Sequence, residues 1–369
     1  MNGEKMRERK KLLCIILSIV MVFGLTACAS TSKDNSKTPN TITQQPTITQ
    51  QPTITEEGQQ KIILTDQAGR EVILDGPAKT IVSCYYITTY ASIALGVEDR
   101  LVGIESKANT RNIYGMAAPE LLDLPSVGTL KEFNVEATAA LKPDLVIMPK
   151  KLLEYADALT ELGIPVLVVY PESQELLEEM LVLLSTACGV EENGEKLLEY
   201  YNKTLAEIAQ ITALVPEEKR LSVYMAGNSS YLTTATDKMY QANLIKLSGG
   251  KNAATKVEGD YWTEISYEDM LAMNPDVIIV PPSAQYSVED ILNDNQLSEL
   301  KAVKNSTIYQ MPIGIEEWDS PIPSGILGVR WLCSVLNSDI YDFEQMKMDV
   351  VSFYQTFYNF ELDKALITK

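Results

Sequence analysis

Short apolar runs alternate with longer amphipathic stretches over most of the chain. The runs are rich in valine and isoleucine, which is typical of strands buried on both faces of a parallel sheet. Seven such runs predict strands, at residues 80–84, 101–104, 144–149, 165–170, 221–226, 276–281 and 307–312. Apolar residues recur at helical spacing in the intervals 150–163 and 172–189. This alternation predicts an α/β fold with parallel sheets covered by helices.

Two further patterns frame these elements. Residues 61–77 predict a β-hairpin that turns at Ala68 and Gly69. One long helix is predicted over 191–216, from apolar side chains at Leu197, Leu198, Tyr201, Leu205, Ile208 and Ile211. The helix separates an N-terminal α/β lobe, residues 61–190, from a C-terminal α/β lobe, residues 217–369. Each is long enough for a core of its own.

The two lobes carry the same short motif. Residues 134–148 read NVEATAALKPDLVIM, and residues 266–280 read SYEDMLAMNPDVIIV. In each, a glutamate, Glu136 or Glu268, is followed seven residues later by Pro-Asp and then by a predicted strand. The motif therefore predicts a helix with a glutamate in its first turn at corresponding places in the two lobes.

The N-terminus has the features of a secretory signal. A basic start precedes the apolar run 12–27, which is too short to span a bilayer comfortably, and Cys28 follows. The last four residues, Leu-Thr-Ala-Cys, resemble the lipobox of bacterial lipoproteins, whose cysteine is diacylated and becomes the first mature residue. The alternative is a buried cysteine at the end of a core helix. We expect residues 1–28 to be a lipoprotein signal peptide and the lipid on Cys28 to hold the protein in the membrane.

A polar segment follows the predicted signal. Residues 29–60 are rich in Ser, Thr, Asn, Gln and Pro, with the repeat TQQPTITQQPTIT at 43–55. Such a composition is too polar to build a core, and its prolines stiffen the chain. We expect a disordered linker between the lipid and the folded lobes.

Composition excludes several classes of function. The formal net charge of −19 repels nucleic acid. The chain has no histidine, which rules out a Ser-His-Asp hydrolase, a histidine-ligated zinc site and a histidine general base. We expect no cofactor and no metal held by the protein itself. Cys84, Cys188 and Cys333 form no CxxC motif and are interpreted as core thiols, with one disulfide between two of them left open.

Five segments in order resemble the class III substrate-binding lipoproteins of ABC importers. They are TDQAGREVIL at 65–74, ALGVEDRLVGI at 94–104, SVGTLKEFNVEATAALKPDLVI at 126–147, YWTEISYEDMLAMNPDVIIV at 261–280 and WDSPIPSGILGVRWLCSVL at 318–336. The resemblance implies two Rossmann-like lobes with parallel sheets, joined by a single long helix, with the ligand in a cleft between the lobes. That family takes up ferric siderophores, haem, cobalamin and related metal chelates.

The resemblance also implies a role for the repeated glutamates. In this family each lobe presents an acidic residue that docks on an arginine cluster of one of two identical permease subunits, and Glu136 and Glu268 match those positions. Paired carboxylates steer a protein onto a twofold basic target and fix its register. A glutamate in the first turn also favours the helix dipole by itself, but its duplication at equal spacing favours docking.

Candidate ligand residues of the N-terminal lobe lie in loops at the carboxyl ends of strands. Tyr85 and Tyr86 directly follow the first strand, where they could flank a chelate ring or bind iron as phenolates. Arg111 and Lys131 lie where the family places ligand-contacting loops, and a cation there suits a carboxylate or an oxyanion.

The C-terminal lobe adds aromatic candidates. Trp262 and Trp318 match family positions where rings line the cleft, and Tyr231 follows the first strand of this lobe. Trp331 falls in an apolar helical run and is predicted to pack in the core. Ser324 stands where many relatives have an arginine, which weakens the case for an anionic siderophore held there. No tryptophan lies near Leu130, where cobalamin binders often have one, which disfavours cobalamin without excluding it.

We therefore predict a monomeric binding protein, lipid-anchored on the extracytoplasmic face of the cell membrane. It would capture a metal chelate, first of all a ferric siderophore or related iron complex, and deliver it to an ABC permease dimer with its ATPase. Cobalamin or another corrinoid, haem and a molybdate-type oxyanion are alternatives within the family. An extracytoplasmic enzyme or an adhesive lipoprotein are alternatives outside it. Catalysis would need a carboxylate pair such as Glu316 and Glu317, which we interpret as solvated charges in an extended loop.

Overall fold

The computed structural model describes residues 53–54 and 60–369. The predicted signal peptide, with Cys28, and most of the predicted linker lie outside these residues. Across the described ranges, every helix is too short or too polar to cross a membrane.

The described chain begins with a small antiparallel sheet. Its strands, in spatial order, are β1 (Thr53–Ile54), β2 (Gln60–Thr65) and β3 (Glu71–Leu74). At the turn between β2 and β3, the Asp66 carboxylate accepts the backbone N–H groups of Ala68 and Arg70 at 3.0 and 2.8 Å. Gly69 takes the left-handed backbone conformation that the turn requires, with φ of 80°. The predicted hairpin is confirmed, and the predicted linker contributes strand β1.

The N-terminal lobe is built on a parallel sheet of four strands in the order β5-β4-β6-β7. The strands are β4 (Ile81–Ser83), β5 (Leu101–Gly103), β6 (Leu145–Pro149) and β7 (Val166–Val169). The helices are α1 (Tyr86–Ala94), α2 (Asn112–Ala117), α3 (Val135–Ala140), α4 (Ala156–Glu161) and α5 (Gln174–Cys188). All residues of β4, β6 and β7 are buried, as expected for strands covered on both faces.

The C-terminal lobe repeats this plan with a parallel sheet in the order β10-β8-β12-β13. Its strands are β8 (Ser222–Met225), β10 (Lys251–Asn252), β12 (Val277–Val280) and β13 (Ile308–Gln310). A separate antiparallel pair consists of β9 (Thr233–Thr234) and β11 (Thr263–Glu264). The helices are α7 (Tyr240–Leu247), α8 (Tyr267–Met273), α9 (Val288–Leu292), α10 (Lys301–Lys304), α11 (Gly325–Leu336) and α12 (Phe343–Phe357). The α/β prediction and all seven predicted strands are confirmed.

One long helix, α6 (Glu191–Ala213), lies between the two sheets in the chain, as predicted. It buries Leu197, Tyr201 and Ile208 in a single apolar core that contains residues of both lobes. The Tyr201 hydroxyl donates a hydrogen bond to the backbone oxygen of Pro323 in the C-terminal lobe at 2.6 Å. Smaller clusters lie on the other faces of the two sheets. The expectation of two separate cores is therefore wrong, because the helix joins the lobes through one continuous core.

The Pro-Asp of the repeated motif has a structural role in each lobe. Asp144, just before β6, accepts the backbone N–H groups of Lys79 and Thr80, both at 3.0 Å. Asp276, just before β12, accepts the N–H of Ser222 at 2.9 Å. Each aspartate thus ties the start of one central strand to the start of its neighbour.

The three cysteines expected in the core are all buried and free. The disulfide between two of them that the sequence left open does not form, because Cys84, Cys188 and Cys333 are all free thiols.

Candidate functional site

A cavity lies where the first strand of the N-terminal lobe ends. Strand β4 ends at Ser83, and α1 begins at Tyr86 without a side-chain cap. Because Tyr86 lines the cavity, the positive end of the helix dipole lies there. The cavity, here the Tyr86 cavity, has a volume of about 390 Å³. It is lined by Cys84, Tyr85, Tyr86, Glu105, Ser106, Lys107, Arg111, Gly128, Thr129, Leu130 and Lys131. All four N-terminal candidates, two tyrosines and two cations, thus meet in one cavity.

A second cavity of about 300 Å³, the Lys150 cavity, lies beyond the carboxyl ends of β6 and β7. It is lined by Tyr85, Leu130, Pro149, Lys150, Lys151, Val169, Tyr170, Pro171, Glu172 and Tyr261. The Lys150 ammonium lies 4.8 Å from the ring centre of Tyr170, and the Lys151 ammonium 5.6 Å from that of Tyr261. These are cation–π distances. Tyr261 belongs to the C-terminal lobe, so this cavity is bounded by both lobes.

A third and smaller cavity of about 130 Å³, the Glu317 cavity, also lies between the lobes. It is lined by Tyr90, Thr110, Arg111, Asn112, Pro282, Ser283, Ile313, Gly314, Ile315, Glu316 and Glu317. Arg111 lines it together with the Tyr86 cavity, whereas Tyr85 and Leu130 line both the Tyr86 and the Lys150 cavities. The three cavities are therefore parts of one cleft.

A row of tyrosine rings runs from the cleft into the core. Successive ring centres of Tyr85, Tyr86, Tyr90 and Tyr114 lie 4.9, 5.5 and 5.6 Å apart in edge-to-face contacts. Burial raises the pKa of Tyr86 to about 12 and raises the pKa of Tyr85 even further. The protonated phenol is therefore favoured over the phenolate considered from the sequence. Tyr85 and Tyr86, which line the Tyr86 cavity, offer flat apolar faces and hydroxyl donors to a ligand.

A buried carboxyl group completes the Tyr86 cavity. Glu105 accepts hydrogen bonds from the Tyr114 hydroxyl at 2.6 Å and from the Thr89 hydroxyl at 2.7 Å. Burial raises its pKa, although these two hydrogen bonds act in the opposite direction. The network fixes Glu105 within the fold.

Arg111 is the cation at the centre of the cleft. Its Nη1 donates a hydrogen bond to Oε1 of Glu317 at 2.6 Å, and its guanidinium carbon lies 4.2 Å from the ring centre of Tyr86. The other Glu317 oxygen accepts the Tyr90 hydroxyl at 3.0 Å. Burial lowers the pKa of Arg111, but the Glu317 carboxylate and the hydroxyls of Tyr90, Tyr86 and Tyr114 together outweigh burial and raise the pKa above its ordinary value. Arg111 is therefore already ion-paired across the lobes.

Basic side chains outnumber acidic ones in two of the three cavities, although the whole chain is acidic. The Tyr86 and Lys150 cavities together contain five basic side chains, at Lys107, Arg111, Lys131, Lys150 and Lys151. Two carboxyl groups, Glu105 and Glu172, share these cavities, and burial raises the pKa of both. In a chain of net charge −19, this concentration of cations marks an environment that favours an anion.

The structure corrects the prediction for Trp318. Its side chain is 1% exposed and packs in the continuous core, so it does not line the cleft. The indole nitrogen donates a hydrogen bond to the Tyr354 hydroxyl at 2.9 Å, which in turn donates to Glu316 at 2.7 Å. Glu316 is 3% exposed, and Glu317 is paired with Arg111. The interpretation of these two glutamates as solvated charges is therefore also wrong.

The other aromatic candidates of the C-terminal lobe, Trp262 and Tyr231, line none of the three cavities. Trp262 is half-buried against the core, and its neighbour Tyr261 lines the Lys150 cavity instead. Tyr231 packs edge to face on Tyr286 and donates its hydroxyl hydrogen to Asp294 at 2.8 Å. Trp331 packs in the core as predicted.

Several cleft residues were missed from the sequence, including Lys150, Lys151, Tyr170 and Glu172. They directly follow β6 and β7, so the rule that selected Tyr85 after β4 would have found them. Glu317 gave no such signal, because its partner lies 206 residues away in the chain.

The repeated glutamates occupy equivalent positions in the two lobes. Glu136 is the second residue of α3 and Glu268 the second residue of α8, and both are exposed. Asn134 caps α3, and a capping box closes α8. Neither helix start therefore depends on its glutamate for a hydrogen bond.

Comparison with known proteins agrees with this architecture. Residues 81–313 match the family described as "Periplasmic binding protein". Over 326 residues the chain is 26% identical to the molybdate-binding protein MolA of Haemophilus influenzae, covering 80% of this chain and 90% of MolA. It is 26% identical over 258 residues to the uncharacterized ABC transporter substrate-binding lipoprotein YvrC of Bacillus subtilis, covering 68% of this chain and 78% of YvrC.

The fold is also similar to solved structures. A periplasmic solute binding protein from Veillonella parvula matches with a TM-score of 0.72 and 27% identity, covering 83% of this chain and 95% of that protein. The chain therefore belongs to the periplasmic binding protein family, as the resemblance implied, and is a substrate-binding protein of the class that serves ABC transporters.

Proposed function

We propose that this protein captures an anionic metal chelate, with a ferric complex as the first candidate, and delivers it to an ABC permease. The observation that carries the proposal is the set of five basic side chains around the Tyr86 and Lys150 cavities of a strongly acidic chain. Basic groups between aromatic faces suit a flat or bulky ligand that carries negative charge. Because relatives of this class are transport proteins, we assign no catalytic activity.

The size of the cleft favours a chelate. The two joined cavities measure about 390 and 300 Å³, within the range of sites for drug-sized molecules. A bare oxyanion would leave most of that space to water. Molybdate is the second candidate, since MolA is a molybdate-binding protein and resembles this chain over most of its length.

Calorimetry on the folded lobes tests the proposal. Ferric citrate and molybdate are the anionic probes, and cobinamide, a cationic corrinoid, is the contrast. Replacing Lys150 and Lys151 together by Gln should weaken ferric citrate binding about 10- to 100-fold, because two charge-assisted contacts are lost. The matched control replaces Lys203 and Lys219, two exposed lysines outside the three cavities, and should bind as the unaltered protein does. Preference for cobinamide over both anions would reject the proposal.

We further propose that Glu136 and Glu268 dock on the permease and that Cys28 carries the lipid anchor. Two exposed carboxylates at equivalent helix starts suit a twofold basic surface, and the relative YvrC is named a lipoprotein. Cys28→Ala should abolish labelling of the exported protein by radioactive palmitate. Undiminished labelling would show that the anchor lies elsewhere.

A further inference from the structure

The ion pair between Arg111 and Glu317 connects the two lobes inside the cleft. Arg111 precedes α2 in the N-terminal lobe, and Glu317 follows β13 in the C-terminal lobe. Their side chains are 26% and 20% exposed, so the pair is partly shielded from water and still accessible to a ligand. Arg111 lines both the Tyr86 and the Glu317 cavities, which places the pair at their boundary.

The contacts of Arg111 leave most of its hydrogen-bonding capacity unused. Within residues 60–369, its guanidinium makes one hydrogen bond, from Nη1 to Glu317. One face is covered by the Tyr86 ring at 4.2 Å, but a guanidinium has five N–H donors along its edges. The Glu317 carboxylate nevertheless pairs with the positive charge of this guanidinium, which is the group best suited to bind a ligand carboxylate or oxyanion.

We propose that Glu317 is a built-in competitor for the anion site, which holds Arg111 across the cleft until an anionic ligand takes the guanidinium. This inference rests on the proposed function, because it requires an anion to bind in the cleft. After displacement, Glu317 keeps the hydrogen bond from the Tyr90 hydroxyl and its partial exposure to water. Separation of Glu317 from Arg111 therefore does not leave a buried charge without a partner.

The competitor makes Glu317 a selectivity residue. A ligand with a single weak negative charge gains little by exchanging with a carboxylate that is already in place. A multiply charged chelate gains more, because it interacts with Arg111 and with the lysines of the neighbouring cavity at the same time. A neutral ligand gains nothing from Arg111 and leaves the lobe-to-lobe contact intact. Binding of an anion therefore removes one contact between the lobes.

The test is a double-mutant cycle at pH 8, with ferric citrate and molybdate as probes in calorimetry. Glu317→Gln should tighten binding of at least one probe by about three- to tenfold, the range of a partly exposed ion pair. In the Arg111→Gln background, Glu317→Gln should not change the affinity for either probe, because the guanidinium for which Glu317 and the ligand compete is absent. The matched control is Glu154→Gln, which removes one exposed negative charge outside the three cavities and should change affinity less than about twofold.

Each result separates this inference from the proposed function. If the Arg111 variant binds the anions more weakly but the Glu317 variant does not bind them more tightly, only the inference fails. Weaker binding by Glu317→Gln would show that Glu317 aids the bound state. Equal tightening by Glu317→Gln and Glu154→Gln would reduce the effect to overall charge and overturn the inference. If no variant binds either anion, both proposals fail. Thermal unfolding of each variant verifies that the compared proteins are folded.

Discussion

A buried carboxyl group in the C-terminal lobe makes the stability of this protein depend on pH. Glu316 is 3% exposed and accepts hydrogen bonds from the hydroxyls of Tyr354 at 2.7 Å and Tyr358 at 3.1 Å. Burial raises the pKa of Glu316 from 4.5 to about 7, although these hydrogen bonds partly oppose it. Asp319, three residues further on, is also buried, and burial with the nearby Glu317 carboxylate raises its pKa to about 7.

The direction of the pH effect follows from these values. Between pH 4.5 and about 7, Glu316 holds its proton in the folded protein and loses it in the unfolded chain. The folded state then binds more protons, so the free energy of unfolding falls as the pH rises through this window. From pH 5.5 to pH 8, a pKa of about 7 gives a loss of about 2 kcal/mol from Glu316 alone, at 1.36 kcal/mol per pH unit. Above about pH 7 the contribution levels off.

Urea unfolding of the wild type and of Glu316→Gln at pH 5.5 and pH 8 measures this contribution. The variant cannot titrate at this position, so its free energy of unfolding should fall by about 2 kcal/mol less than that of the wild type over the same interval. Glu361→Gln, at an exposed carboxylate of the C-terminal segment, should keep the wild-type pH dependence. If Glu316→Gln and wild type lose the same stability, Glu316 is ionised in the fold at pH 5.5 and the burial argument is refuted.

Three further predictions concern docking and the aromatic residues. Replacing Glu136 and Glu268 together by Ala should leave ferric citrate binding unchanged in calorimetry, while uptake through the permease is lost. Normal uptake would show that the two glutamates do not dock on the permease and are only charges at helix ends. Trp318→Phe should lower the free energy of unfolding in urea by about 1–3 kcal/mol, because a buried hydrogen bond and packing are lost. The affinity of the Trp318→Phe variant for ferric citrate should not change, and a large loss of affinity would show that Trp318 contributes to binding. Tyr261→Ala should affect binding and not stability, since this ring is 53% exposed and lines the cleft. The affinity for ferric citrate should fall about tenfold, with little change in the free energy of unfolding.

The fold could be predicted where burial leaves a regular pattern. The fully buried strand β12 and the first four residues of β6 consist of consecutive Val, Ile, Leu or Met residues, and α6 shows apolar residues at helical spacing from Leu197 onward. Strands of two residues, such as β9 and β11, are too short to show any alternation, and their pairing depends on contacts distant in sequence. The continuous core was missed for a related reason. Periodicity shows which face of α6 is apolar but not that both lobes cover it.

The candidate site could be predicted only in part. Tyr85 and Tyr86 follow a strand directly, so topology alone places them at the cleft. Loops carry no periodicity, and nothing in the sequence distinguishes Trp262 from its neighbour Tyr261, which lines the cavity. Trp318 was misjudged because it was chosen by its match to family positions where rings line the cleft, whereas its indole finds a buried hydrogen-bond partner in α12. Such long-range pairings are not encoded in local spacing.

The single core through α6 limits how this protein can be divided or recombined. Either lobe expressed alone would expose the apolar surface that now packs around Leu197, Tyr201 and Ile208, and such a fragment would aggregate more readily than it would fold. Joining one lobe to the opposite lobe of a distant relative would bring together two half-cores whose side chains do not interdigitate. New ligand preferences in this chain would therefore arise by replacing side chains in the turns after β4, β6 and β7, which line the cleft and leave that core intact.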